Sequence, residues 1–117
     1  MENFSEPQIK RVAKWLKVLA EPNRLLILNK IIQGVQCNCE MGDALNMAPN
    51  LISHHLGILR DAGILNVERD PVDARWGYYS VNLAVLHEIN QQVLPFFDPE
   101  RIQPRKLTCG PKTEPCK

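Results

Sequence analysis

The feature that most constrains the fold is a pair of short helical stretches joined by a few residues. The first ends near Leu45, and the second reads NLISHHLGILRDAG over residues 50–63, closing on a glycine. Asn46 tolerates the left-handed backbone conformation that a tight turn between helices needs. Pro49 stands at an early helical position, where its missing N–H costs nothing. The spacing predicts a helix-turn-helix, in which the second helix enters the major groove of DNA.

The second helix of this pair is amphipathic. Its inner face is predicted to hold apolar residues and one histidine: Leu51, Ile52, His55, Leu56 and Leu59. Its outer face is polar: Asn50, Ser53, His54, Gly57 and Arg60. We expect the side chains of this outer face, Gly57 apart, to contact DNA, and we expect His55 to lie in the core or at an interface.

Beyond Gly63 the composition shifts to β-branched and aromatic residues. Residues 64–69 and 76–81 flank the turn-forming sequence DPVDAR. They predict a β-hairpin that forms the wing of a winged helix-turn-helix. Arg69 and Arg75 would let this wing reach the DNA backbone or minor groove, although the two aspartates between them would repel phosphate.

The first helix of this motif is predicted over about residues 40–45, and helices outside the motif are predicted over about residues 6–20, 22–33 and from Asn82 to Pro95. Ser5 and Gln8 form a capping-box pattern ahead of the first of them. The helix over residues 22–33 is expected to bury an apolar stripe that consists of Leu25, Leu26, Leu28, Ile31 and Ile32. The fold class is therefore mainly α with one β-hairpin, with a single domain over residues 1–95. Residues 96–117 form a Pro-rich tail that we expect to lack regular structure.

Thiols are the other chemical feature of the chain: Cys37, Cys39, Cys109 and Cys116. The N-terminal sequence lacks the features of a secretion signal, so we expect a cytoplasmic protein whose thiols are reduced. Cys37 and Cys39 stand one residue apart at the start of the third helix, and neither a regular helix nor a strand would bring their sulfurs together. Chelation would require a bend there, and the helix N-terminus would lower the thiol pKa.

Composition and charge exclude several functions. A net charge of +1 does not fit a nonspecific nucleic-acid coat, so DNA binding requires a local basic patch doubled by dimerisation. The first and last helices carry wider apolar stripes than a lone small domain needs, which predicts a homodimer. No apolar run is long enough to span a membrane. No phosphate loop, carboxylate pair or Ser/His/Asp arrangement indicates an enzyme.

Four segments occur in a characteristic order: LAEPNRLLIL at residues 19–28, CNCEM at 37–41, ISHHLGILRDAG at 52–63 and RWGYYS at 75–80. Together they resemble the ArsR/SmtB family of dimeric winged-helix repressors, which release DNA on binding metal ions or metalloids. The resemblance covers about residues 8–94. It implies a homodimer that binds double-stranded operator DNA without ligand and is released by an inducing ion.

Within that family the pair Cys37 and Cys39 resembles the thiolate site for arsenic, antimony, cadmium or lead. The third cysteine of the best-known arsenic sensors would stand at Gly42, so a third thiol must come from elsewhere. The tail thiols are the candidates, Cys109 ahead of Cys116 because its tether is shorter. Soft thiolates favour As(III) or Sb(III) as inducer, with Cd(II), Pb(II) or Zn(II) as alternatives.

Two departures from the family pattern remain. The last helix offers only His87 and Glu88, which argues against the site that zinc, nickel and cobalt sensors of this family place there. Ala48 and Pro49 replace the hydroxyl cap and glutamine that many relatives carry at the start of the DNA-reading helix.

Two other functions are compatible with the same residues. The thiols could form a redox or reactive-sulfur switch in a repressor of the same fold, with a bridge from Cys37 or Cys39 to the tail because a Cys-x-Cys ring is strained. The chain could also be a metal-buffering protein without an operator, although the helix-turn-helix argues against that function.

Overall fold

A computed structural model describes residues 3–105 of the chain. In this part the regular elements follow one another as α1 (Glu6–Leu19), α2 (Pro22–Ile32), α3 (Asn38–Leu45), α4 (Pro49–Asp61), β1 (Leu65–Arg69), β2 (Gly77–Val81), α5 (Leu83–Phe96) and a 3-10 helix (Pro99–Arg101). The strands pair antiparallel, with Leu65 opposite Val81 and Arg69 opposite Gly77. The predicted helix-turn-helix and hairpin are both confirmed.

Local sequence signals place the ends of several helices. Ser5 Oγ accepts a hydrogen bond from the N–H of Gln8, and Gln8 Oε1 accepts one from the N–H of Ser5, which completes the predicted capping box. Asn46 has a φ of 53° and forms the tight turn between α3 and α4. Gly63, with a φ of 82°, follows the end of α4 in a conformation that favours glycine.

The core is centred on α4. Its inner residues Ile52, Leu56 and Leu59 are fully buried, and they pack with side chains of every other helix and of the hairpin. Trp15 of α1 lies in this core as well. His55 is buried as well, as predicted. Burial of α4 on one side fixes which of its residues remain exposed on the other.

Two predicted apolar faces are partly wrong. In α2 the buried residues are Ile27, Leu28 and Ile31, whereas Leu25, Leu26 and Ile32 are exposed. The reason is that α2 contacts the core through a narrow face, and helical periodicity alone does not select which apolar residues occupy it. Leu51 is also exposed, because it lies in the first turn of α4 beside the equally exposed Asn50.

Three predicted boundaries also differ. The third helix begins at Asn38 rather than near residue 40, because Cys37 takes the extended N-cap conformation. Pro95 does not end α5, since a proline in the last turn removes a single backbone hydrogen bond and the helix continues only to Phe96. Residues 99–101 are not irregular: they form the 3-10 helix, and the guanidinium of Arg101 lies 4.5 Å from the ring centroid of Phe4. That cation–π contact, and a second one to Phe96, hold this segment against the start of α1.

No helix within residues 3–105 combines the length and apolar character that crossing a bilayer requires.

Candidate functional site

The two thiols of the third helix lie on either side of a bend in the backbone. Cys37 is the N-cap residue, with extended dihedrals (φ −88°, ψ 134°), and Cys39 lies in the first helical turn. Cys37 is buried, with 4% of its surface exposed, whereas Cys39 is exposed. The backbone therefore changes from extended to helical between the two cysteines.

The pKa of the Cys39 thiol is raised above its ordinary value, contrary to the expectation that the helix N-terminus would lower it. The main cause is a hydrogen bond with the Cys37 thiol, followed by desolvation and by the nearby Cys37 charge. The backbone hydrogen bond at Glu40 acts in the lowering direction but is outweighed. The raised pKa keeps the Cys39 thiol protonated at neutral pH.

Cys39 opens into a cleft of about 470 Å³ between α3 and the start of α4. The cleft is lined by Asn38, Cys39, Gly42, Asp43, Asn46, Met47 and Pro49. A Cβ atom added to Gly42 would lie 3.3 Å from the carbonyl oxygen of Met47, so the chain at this position is packed closely against the turn. An ion bound at Cys39 would therefore sit beside the first turn of α4.

Residues 3–105 contain no group of three or more His, Cys, Asp or Glu side chains arranged to hold a metal ion. Cys37 and Cys39 are the two cysteines in that range, and Cys109 and Cys116 lie outside the described residues. Two thiols alone make an incomplete site for an ion that prefers three or four sulfur ligands.

The outer face of α4 is exposed as predicted, with Asn50, Ser53, His54 and Arg60 directed to solvent. Some of their polar atoms are engaged locally: Arg60 Nη2 lies 3.2 Å from Asp61 Oδ1, and Asn50 Oδ1 accepts the N–H of Leu51 at 3.0 Å. Ala48 is the N-cap residue of α4. As expected for alanine, its side chain accepts no hydrogen bond from the first turn of the helix. To bind a phosphate with the same atoms, Arg60 would have to give up its ion pair with Asp61. This pair is exposed and therefore contributes little to stability.

The wing places its two arginines differently. Arg69 ends β1 opposite Gly77. Its Nη1 atom lies 3.0 Å from the position that a Cβ atom would take if Gly77 carried a side chain. Arg75 is exposed near the tip and forms a bidentate ion pair with Asp73, at 3.0 Å from Nε to Oδ1 and 2.7 Å from Nη2 to Oδ2. This pair lowers the pKa of Asp73 and raises that of Arg75.

The aspartates of the wing were expected only to repel phosphate, but they build the turn. Asp70 Oδ1 accepts the N–H groups of Val72 and Asp73, and Asp70 Oδ2 accepts the hydroxyl of Tyr78. The two backbone hydrogen bonds are the main reason that the pKa of Asp70 lies below its ordinary value. An aspartate that bonds to the backbone two residues on is a known turn signal, so this role could have been read from the sequence.

Tyr78 and Glu21 are residues that sequence reasoning missed. Tyr78 forms an isolated antiparallel bridge with Cys37, and Glu21 lies against the buried His55. Both contacts join residues far apart in the chain, and no local pattern predicts such pairs.

Comparison with known proteins agrees with this geometry. A family model described as "Bacterial regulatory protein, arsR family" matches residues 21–67, which include α2, α3, α4 and most of β1. An uncharacterised HTH-type transcriptional regulator of Methanocaldococcus jannaschii is 33% identical over 72 residues, or 61% of this chain and 78% of the relative. The arsenical resistance operon repressor of Bacillus subtilis is 28% identical over 83 residues, or 70% of this chain and 76% of the relative.

The fold is also that of a solved structure, a homodimeric winged helix-turn-helix DNA-binding domain of Mycobacterium bovis. The TM-score is 0.57 at 24% identity, over 91% of this chain and all of that chain. This likeness confirms the winged helix-turn-helix fold.

Proposed function

The chain belongs to the ArsR family of bacterial regulatory proteins, and from that membership we propose a repressor that leaves its operator when As(III) or Sb(III) binds thiolates at Cys37 and Cys39. Proteins of this family are DNA-binding transcriptional regulators, so the chain is a transcriptional repressor and not an enzyme. The identity of the ion, its ligands and the DNA contacts are the parts proposed here.

The observation that carries the proposal is the placement of both cysteines at the bend that begins α3, with Cys39 exposed to the adjoining cleft. Two thiols so placed, one of them lining an open cleft, make a partial site for a soft, thiophilic ion. The arsenical resistance operon repressor of Bacillus subtilis, similar over 83 residues, supports arsenic ahead of other ions. Cd(II) and Pb(II) are the alternatives with thiolate ligands. Zn(II) is less favoured because structural zinc sites place two to four residues between their paired cysteines, whereas a single residue separates Cys37 from Cys39.

A third sulfur is required for a trigonal As(III) site. We assign it to the tail over residues 96–117, which carries Cys109 and Cys116, outside the domain over residues 1–95 that carries the DNA-binding surface. Cys109 is favoured because it closes the shorter loop. All four thiolates together would suit a tetrahedral Cd(II) site.

The DNA-binding surface consists of the outer face of α4 and the wing. Its proposed contacts with operator DNA are Asn50, Ser53, His54, Arg60, Arg69 and Arg75. Phosphate contacts from the arginines would supply most of the affinity, and Asn50 and Ser53 would contact base edges in the major groove.

Dimerisation would place two such surfaces side by side. The helices α1 and α5 pack on each other and leave apolar side chains exposed: Ile9, Leu16, Leu83 and Leu94. The homodimeric Mycobacterium bovis domain of the same fold supports a dimer. In a dimer the two α4 helices would read half-sites about 34 Å apart in an inverted repeat.

The mechanism follows from the position of the cleft. Drawing Cys37 and Cys39 to one ion would displace the first turn of α3, which packs against α4 through the turn at Asn46. A ligand changes DNA affinity only by binding one conformation of the protein better than the other. Here the ion would favour a conformation in which α4 no longer fits the major groove.

The test is a set of variants of the reduced full-length chain, each assayed for operator binding with and without arsenite. Cys37→Ser and Cys39→Ser should abolish the response to arsenite and keep operator binding. Asp43→Ser is the matched control, since it removes the carboxylate of the same cleft without removing a thiol. An arsenite response that survives in both cysteine variants would overturn the proposal.

The third ligand is tested separately. Truncation after Gln103 should weaken As(III) affinity by at least about tenfold, or about 1.4 kcal/mol. Cys109→Ser should reproduce most of this loss and Cys116→Ser little of it. Gly42→Cys in the truncated chain should restore affinity, because positions 39 and 42 lie on one face of the helix and the contact with Met47 needs only a small shift. Full affinity in the truncated chain would exclude the tail thiols.

The same assay separates the alternatives. Release of DNA by a thiol oxidant or a polysulfide, with no response to any ion, would indicate the redox or reactive-sulfur switch. Ion binding by a chain that protects no site upstream of its own gene would indicate the metal-buffering protein.

A further inference from the structure

The start of α3 is attached to the wing as well as to α4. Cys37 and Tyr78 form an antiparallel bridge outside the β1–β2 ladder. Beside it the N–H of Tyr79 donates to the carbonyl oxygen of Gln36 at 2.9 Å. The N-cap of α3 is therefore joined directly to the backbone of β2.

The side chain of Tyr78 continues this connection toward the tip of the wing. Its hydroxyl donates to Asp70 Oδ2 at 3.2 Å. The other oxygen of the same carboxylate accepts the N–H groups of Val72 at 2.8 Å and Asp73 at 3.1 Å. Tyr78 therefore orients the carboxylate that organises the turn between β1 and β2.

The last connection reaches a basic side chain of the DNA-binding surface. Asp73 holds the guanidinium of Arg75 with the bidentate pair described above, and its Oδ1 atom also accepts the N–H of Arg75 at 3.1 Å. The position of Arg75 thus depends on the turn, and the turn depends on Asp70 and Tyr78. The series of contacts runs from Cys37 through Tyr78, Asp70 and Asp73 to Arg75.

We propose that Tyr78 is a positioning residue that transmits ion binding at Cys37 and Cys39 to the wing, so that release of DNA uses the wing as well as α4. This inference rests on the proposed function. Because Cys37 is buried, its sulfur reaches an ion at about 2.3 Å, the length of a metal–thiolate bond, only if the N-cap moves. The bridge would then carry Tyr78 away from Asp70, and a hydrogen bond already 3.2 Å long is lost with little further movement.

Removing the Tyr78 hydroxyl tests whether release of DNA uses the wing as well as α4. Tyr78→Phe keeps the ring, the strand and the bridge, and it removes only the hydrogen bond to Asp70. Tyr79→Phe, on the next residue of the same strand, is the matched control. Both variants should bind arsenite, followed by thiolate absorption, within about threefold of the wild type. Without arsenite, Tyr79→Phe should bind operator as the wild type does, whereas Tyr78→Phe should bind it more weakly, because the contact that orients the turn is already lost.

The decisive quantity is the factor by which arsenite weakens operator binding, which for coupled sites is typically about 5- to 150-fold. Tyr78→Phe should reduce this factor by about fivefold or more, and Tyr79→Phe should leave it unchanged. A residue that only supports the fold would weaken operator binding equally with and without arsenite, and it would leave the factor unchanged.

Amide hydrogen exchange gives a second readout that needs no DNA. Arsenite should speed exchange of the Val72 and Asp73 N–H groups in the wild type, and these two groups should respond far less in Tyr78→Phe. An unchanged coupling factor in Tyr78→Phe, or unchanged exchange at Val72 and Asp73 in arsenite-loaded wild type, would overturn the role of Tyr78 and leave the proposed function intact. A wild type that binds no arsenite, or keeps its operator when loaded, would overturn the proposed function and this inference with it.

Discussion

His55 and Glu21 meet inside the contact between α4 and the start of α2, with His55 Nε2 3.5 Å from Glu21 Oε2. The same glutamate oxygen accepts the N–H of Arg24 at 3.3 Å and so caps α2. Desolvation lowers the pKa of His55, and the attraction of Glu21 only partly opposes it. The imidazole on the inner face of the DNA-reading helix is therefore neutral at pH 7.

This buried histidine predicts acid-sensitive folding. An unfolded histidine takes up a proton near pH 6.5, whereas folded His55 does so only at lower pH, so the unfolded state binds more protons between the two values. The free energy of unfolding should therefore fall as the pH drops below about 6.5, by at most about 1.4 kcal/mol per pH unit from this residue. Urea unfolding at pH 7.5 and pH 5 measures the effect.

The neighbouring exposed histidine supplies the control. His55→Gln should reduce the difference in stability between the two pH values, and His54→Gln should leave it as in the wild type. Equal pH dependence in the wild type and in His55→Gln would show that His55 does not control acid stability.

Substitutions on the outer face of α4 should separate DNA binding from ion binding. Ser53→Ala and Arg60→Ala should each weaken operator binding by about 1 to 3 kcal/mol and leave the affinity for arsenite unchanged. Asp61→Asn is the matched control, since it releases Arg60 from its ion pair and should preserve or strengthen binding. Operator affinity equal to wild type in both alanine variants would mean that α4 presents another face to DNA.

The raised pKa of the Cys39 thiol predicts that the two kinds of ion bind with different pH dependence. Each protonated thiol that becomes a ligand of Cd(II) releases one proton, so Cd(II) affinity should rise with pH by up to about tenfold per unit for each such thiol. Arsenous acid loses its hydroxyl groups as water together with the thiol protons, so As(III) affinity should change little. Isothermal titrations of both ions at pH 6.5 and pH 8 compare the two. Cd(II) affinity independent of pH would contradict the raised pKa of the Cys39 thiol.

The exposed apolar residues of α1 and α5 predict the dimer interface. Leu16→Glu should convert the dimer to a monomer and abolish binding to a two-half-site operator, because a buried unpaired charge is costly. Val72→Glu is the control, since Val72 is 95% exposed at the tip of the wing, far from a helix face. Sedimentation velocity of both variants tests the assignment, and a dimeric Leu16→Glu chain would place the interface elsewhere.

Local chemistry allowed much of the fold to be predicted from the sequence. The capping box at Ser5, the left-handed Asn46 and Gly63 at the end of α4 each fix a backbone conformation within a few residues. The outer face of α4 followed from helical periodicity, because one side of this helix is buried by the whole core. Leu25 and Leu26 are exposed although they were predicted to be buried. Helical periodicity identifies apolar residues, but it does not determine which of them pack against other parts of the chain.

The site was harder to predict because its interactions are long-range or depend on exact geometry. Cys37 contacts Tyr78 only because β2 passes the start of α3, and no local pattern contains that information. The raised pKa of Cys39 arises from a neighbouring thiol that opposes the helix terminus. Asp73 was counted as a charge that repels phosphate, whereas in the folded wing its charge is paired with Arg75.

The central claim is that one event, thiolate binding of the ion, causes release of the operator. Arsenite is titrated into the reduced full-length protein on a fluorescent operator duplex, with thiolate absorption and DNA anisotropy followed in the same sample. We predict that both signals saturate together, at one ion per protomer. Absorption that saturates while the DNA stays bound, or release of DNA without an absorption change, would contradict the account.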